Sequence, residues 1–126
     1  MNENIEKIIE VVILGVSSLK YNVEITKIGP LANDLLSAGD MVIFGQCDME
    51  ALAEVCFMHT KGELKEPVAV GDHVMIGNNS YAVAAVGEEA QHTLATLGHC
   101  TFKFTDKAEV ELPGQINLKG NGLPAP

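Results

Sequence analysis

The stretch C-F-M-H-T-K-G-E-L, residues 56–64, sets a histidine where an apolar run ends and a small polar turn begins. A neutral imidazole is a competent nucleophile near pH 7, and its two ring nitrogens are chemically distinct. One nitrogen can take a phosphoryl group while the other donates the hydrogen bond that sets the tautomer. The phosphoryl oxygens then need donors. Thr60 supplies a hydroxyl, Lys61 an ammonium, and Gly62 lets backbone N–H groups approach closely. Phosphoryl transfer asks for positioning and charge stabilisation more than for elaborate covalent machinery, so one histidine beside such a turn suffices as a carrier. Glu63 is a weaker candidate, because an exposed turn carboxylate is commonplace. A histidine at a strand end also suits a small binding or regulatory module that never carries phosphate, so both readings stand at this level.

The remaining reactive residues narrow the choice. His99, in L-G-H-C, also joins a glycine-bearing turn to an apolar strand, a place where a rigid element can present a side chain. His92 lies about 200° around its helix from Ala90, at 100° per residue, and so faces solvent. His73 follows a Gly-Asp turn and alternates with Met75 at an exposed strand position. Cys56 and His59 are three apart on an extended segment, which points them to opposite faces and removes a thiol–imidazole pair. The four histidines and three cysteines show no metal-ligand spacing. Phosphate-binding glycine loops, G-x-G-x-x-G, G-x-S-x-G and H-E-x-x-H are all missing, so neither a metal nor a cofactor is expected.

These residues must be held by short elements. Lys20–Ile28 alternates Tyr21, Val23 and Ile25 against Asn22, Glu24 and Thr26, the pattern of a half-buried strand. Residues 5–16 fit a helical face or a strand, with their β-branched density favouring the strand. Pro30–Ala38 reads as a short helix with Leu31, Leu35 and Ala38 on one face, ended by Gly39. Met41–Phe44 resumes a strand, Asp48 caps a brief helical turn through Ala53, and Val55–His59 extends again. His73–Ile76 and Tyr81–Val86 form a hairpin around Gly77-Asn78-Asn79. Glu88–Leu97 is a helix with Ala90, Leu94 and Leu97 inward. Thr101–Phe104, Glu109–Leu112 and Gln115–Leu118 read as strands, the last two joined by a Pro113-Gly114 turn, and residues 120–126 as a frayed tail. The sum is a mainly β fold, a compact β-barrel with two or three short helices inserted.

Bulk properties fit one domain across residues 1–126, with 47% hydrophobic residues and enough length for a single core. Eight basic residues against 17 acidic ones leave a net charge of −9, which repels phosphate backbones and anionic lipid. Neither nucleic acid nor a membrane surface is an expected partner; a basic docking face is. Val11–Val16 is far shorter than the roughly 20 residues of a spanning helix, and the acidic residues before it do not suit a secretory signal. Unpaired cysteines agree with a cytoplasmic location.

Taken together, C-F-M-H-T-K-G-E-L, I-T-K-I-G at 25–29, A-V-G at 85–87, L-G-H-C-T-F-K-F at 97–104 and E-L-P-G-Q-I at 111–116 resemble, in order, the landmarks of one family. That family is the IIA component of the glucitol/sorbitol phosphotransferase system, and the likeness runs from about Lys20 to Lys119. The resemblance implies a cytoplasmic phosphoryl carrier that accepts phosphate from HPr on a histidine and passes it to the IIB component. It places the phosphohistidine at His59 and gives His99 an orienting or phosphoryl-binding part. Members can carry a second histidine two residues beyond the first; Lys61 stands there in this chain, and a lysine can hold phosphate only as a point charge. Residues 1–18 lie outside the resemblance, as an extension without an assigned role.

Overall fold

The computed structural model describes residues 10–45 and 49–124. Eight strands close into one barrel: β1 (Glu10–Leu14), β2 (Leu19–Ile28), β3 (Asp40–Phe44), β4 (Cys56–His59), β5 (His73–Ile76), β6 (Asn79–Val86), β7 (Cys100–Phe104) and β8 (Gln115–Lys119). Around the barrel the order is β1-β2-β4-β3-β7-β8-β6-β5, with β5 returning to pair with β1. Three short helices are inserted: α1 (Ala32–Ser37), α2 (Glu50–Ala53) and α3 (Glu88–Leu97). The expected barrel with short helices is therefore the observed fold.

Period-2 alternation builds the core. Each strand sends alternate residues inward, among them Val11 and Ile13, Tyr21 and Val23, Met41 and Ile43, Val74 and Ile76, Ile116 and Leu118, all buried. The β-branched run at 10–14 resolves as strand because β2 and β5 flank it on both sides. Residues 5–9 of that ambiguous segment, and Asp48 with its expected capping role, lie outside the described residues; the N-cap position of α2 is Met49.

Four expectations need correction. In α1 the buried residues are Ala32 and Leu36, while Leu31 is 45% exposed, so the apolar face is turned by one position. In α3 Ala90 and Leu94 are buried as expected, but Leu97 is half-exposed at the helix end. Glu109–Leu112 is not a strand. β7 and β8 run parallel, and parallel neighbours cannot be joined by a tight hairpin. Residues 105–114 are consumed as the crossover, and Glu109 offers its carbonyl to the Asn117 side chain instead of to a ladder. Finally, residues 120–124 are docked, not frayed: the Tyr81 hydroxyl donates to the Gly122 carbonyl, the Asn79 amide reaches the Leu123 carbonyl, and Pro124 is buried.

Candidate functional site

β4 is only four residues long, and its inward side chains are Phe57 and His59. His59 thus continues a core-facing row, where an apolar residue is the default, and is only 3% exposed. Its ring is the floor of a cavity of about 710 Å³ lined by residues of β2, β4, the 60–62 turn and the end of α3. Tyr21 meets the imidazole edge-on, with ring centroids 6.1 Å apart. The ring is covered rather than displayed, yet it faces a cavity and not the centre of the core.

Both ring nitrogens have a carbonyl oxygen at 2.7 Å: Thr60 against Nδ1 and Gly98 against Nε2. Thr60 is itself fastened to β2, where its N–H donates to the Glu24 carbonyl and its Oγ1 accepts from the Glu24 N–H. Lys61 lines the cavity mouth and is exposed. Gly62 has a packing reason that the sequence did not show. A Cβ there would lie 2.4 Å from Val23 Cγ1 and 3.3 Å from the Tyr21 ring, so only glycine lets the chain lie against β2. Glu63 is exposed and stands outside the cavity lining.

The structure does not bring His99 to His59. Its Nδ1 lies 2.9 Å from the Ile43 carbonyl and its ring packs on Phe44 at 4.5 Å. The contact with His59 comes instead from the preceding residue, Gly98, whose φ of +66° ends α3 in the left-handed conformation. His73 and His92 are exposed, as their spacing predicts.

Three participants escaped the sequence reading. Gly98 supplies a carbonyl from 39 residues away. Lys27 joins Lys61 in the lining, and these are the only ordinarily charged side chains among the described lining residues. Tyr21 sits 1% exposed with a hydroxyl that has no hydrogen-bond partner among the described residues. Burial, and secondarily the Cys100 thiol, push that phenol up to about 12, so it remains a donor throughout the neutral range. One signal was available: the period-2 rule run along β4 from Phe57 puts His59 inward, and a polar residue at a core position calls for an explanation.

No helix among the described residues is long and apolar enough to cross a membrane, and none of their His, Cys, Asp and Glu side chains cluster as a metal site. Residues 20–126 match the family model described as the PTS system glucitol/sorbitol-specific IIA component. The glucitol/sorbitol-specific EIIA components of Shigella flexneri and of Escherichia coli strain K12 are each 38% identical over 100 residues, covering 79% of this chain and 81% of the relative. The crystal structure of a PTS system IIA component from Enterococcus faecalis V583 superposes with a TM-score of 0.72 at 25% identity, covering 82% of this chain and 89% of that one. With the barrel, the landmark motifs and the matched span in agreement, the chain belongs to the glucitol/sorbitol-specific IIA component family of the phosphotransferase system.

Proposed function

We propose that this chain is a cytoplasmic phosphoryl carrier, taking phosphate from HPr onto His59 and passing it to the IIB component during glucitol/sorbitol uptake. The observation that carries this reading is the charge of the cavity above His59. In a chain of net charge −9, its two ordinarily charged lining side chains are both cationic, Lys27 and Lys61. Neither has an ion-pair partner among the described residues. That is an anion site in an anionic protein.

Magnitudes favour a transient occupant. Two exposed ammonium groups in water each contribute only about 1 kcal/mol at 4 Å, which guides a phosphoryl group without trapping it. The hydroxyl of Thr60, whose oxygen already accepts from Glu24, retains its own hydrogen for donation. In the transfer an imidazole nitrogen of His59 bonds to phosphorus as the donor's N–P bond breaks, and the bonding pair returns to the donor ring. The acidic exterior then suits a basic face on the donor.

The test is chemical. Incubated with phosphorylated HPr, the protein is expected to gain an acid-labile, base-stable phosphate that His59→Ala abolishes. An adduct that persists in His59→Ala and disappears in His99→Ala would move the carrier to His99. Failure to form any adduct would favour a barrel that binds without carrying phosphate.

A further inference from the structure

Between β4 and β5 the chain runs from 60 to 72 with no helix or strand of its own. The first half of this strap lies along β2, where the Thr60 N–H donates to the Glu24 carbonyl and the Lys65 N–H to the Lys20 carbonyl, each at 2.9 Å. Further on, Lys20 Nζ reaches both the Pro67 carbonyl and the Asp72 carboxylate. Residues 60–62 of the strap form one wall of the cavity above His59, and residues 95–98, at the end of α3, form another.

Away from the cavity, a single side chain joins the strap to α3. Gln91 Oε1 accepts from the Val68 N–H at 2.9 Å, and its Nε2 donates to the Val68 carbonyl. One amide thereby satisfies both backbone groups of a residue that belongs to no ladder. Among the described residues this is the one hydrogen-bonded tie between α3 and the strap. The other bonds of α3 to the barrel, from the Ala90 N–H to the Pro113 carbonyl and from the Gly45 N–H to the Leu97 carbonyl, lead elsewhere. Val68 is buried, so the strap end of the tie is seated in the core.

The helix end of the tie points along the cavity wall. Gln91, Ala95 and Gly98 recur at i, i+4 and i+7 and so share one face of α3. At 1.5 Å per residue, Gly98 lies about 10 Å beyond Gln91 on the same rod. A swing or rotation of α3 away from the strap therefore carries Ala95 and Gly98 with it.

We infer that Gln91 is a positioning residue for protein-borne phosphoryl donors: by tying α3 to the 60–72 strap, it fixes the spacing of the two walls between which a partner's side chain must enter. This rests on the carrier reading given above. Gln91 does not line the cavity itself and acts only through α3 and the strap. His59 is buried at the cavity floor, so a donor carried on a protein has to fit its docking face and its reacting side chain to both walls at once. A free small donor needs no such fit.

The experiment compares two donors, phosphorylated HPr and potassium phosphoramidate, on the full chain. Gln91→Met cuts both bonds to Val68; Gln91→Asn, one methylene short, is the second variant should the first fail to fold. With phosphorylated HPr the variant is expected to raise KM roughly tenfold and to change kcat less than about twofold, the pattern of lost docking geometry. With phosphoramidate its rate should stay within about twofold of the unsubstituted protein. Tyr81→Phe, which removes a comparable tie to the Gly122 carbonyl, is expected to leave both donors unaffected. Equal slowing with both donors, a fall in kcat at unchanged KM, or no change with either donor overturns the role of Gln91 and leaves the carrier reading intact. Failure of both donors to phosphorylate the unsubstituted protein overturns the carrier reading and this inference with it.

Discussion

At the scale of single residues, the site is made of side chains that a barrel core does not ordinarily hold. Tyr21 is the clearest case beside His59, a buried phenol whose hydroxyl has no partner among the described residues. An unsatisfied buried hydroxyl costs roughly 1–3 kcal/mol, so Tyr21→Phe is expected to leave stability unchanged or raise it by about 1 kcal/mol in urea melts near neutral pH. The alkaline side separates this variant further. The Tyr21 phenol is held up from 10.0 to about 12, so between those values the folded chain keeps a proton that the unfolded chain has lost. The unfolded state binds fewer protons there, and stability falls as pH rises through that window. A two-unit difference corresponds to roughly 2–3 kcal/mol by its upper end. Burial pushes the Cys100 thiol up as well, in the same direction, so Tyr21→Phe should shallow the alkaline loss without abolishing it. An alkaline slope identical in the two proteins would remove Tyr21 as its source.

At the scale of elements, α3 matters less for its burial than for where it stops. Its C-terminal Gly98 combines a left-handed backbone with direct contact: a Cβ there would sit 2.7 Å from His59 Cε1 and 3.1 Å from Gly45. Gly122 provides the control, with a φ of +72° and nothing within 4 Å of a built Cβ. Both Gly→Ala changes incur backbone strain of roughly 1–2 kcal/mol, which chemical denaturation measures. Gly98→Ala should lose more stability than Gly122→Ala and should also slow phosphorylation of His59 at least tenfold, because the added methyl presses on the ring. Equal effects of the two substitutions on phosphorylation would show that α3 does not control the ring.

At the scale of the whole molecule, closure of the barrel depends on a strand outside the matched family span. β1 lies at 10–14, ahead of the span that begins at residue 20, yet it pairs with both β2 and β5. Removing it would leave two unpaired edges and bare part of the core. Ile13, fully buried, gives a milder test: Ile13→Ala should destabilise the protein by about 2–5 kcal/mol in denaturant titration. A chain starting at Leu19 should associate or precipitate, seen by size-exclusion chromatography. A monomeric, stable truncated chain would show that β1 is dispensable for the barrel.

The linear order of residues by itself determined the class of fold, most strand positions, the extent of α3, and the segment around His59, because alternation and turn chemistry act over a few neighbours. Its landmark motifs also determined the family. It did not determine that Glu109–Leu112 would be a crossover, since parallel pairing of β7 with β8 is a property of the closed barrel and not of either strand. Nor could it reveal Gly98, Lys27 and Tyr21 as neighbours of His59, or that His99 turns to the Ile43 carbonyl instead. Those residues lie 32 to 56 positions apart along the chain, and no local periodicity encodes which chain segments meet at a barrel's end. Tertiary structure alone decided that the imidazole is held between the Thr60 and Gly98 carbonyls, because the second of these arrives from the far end of α3.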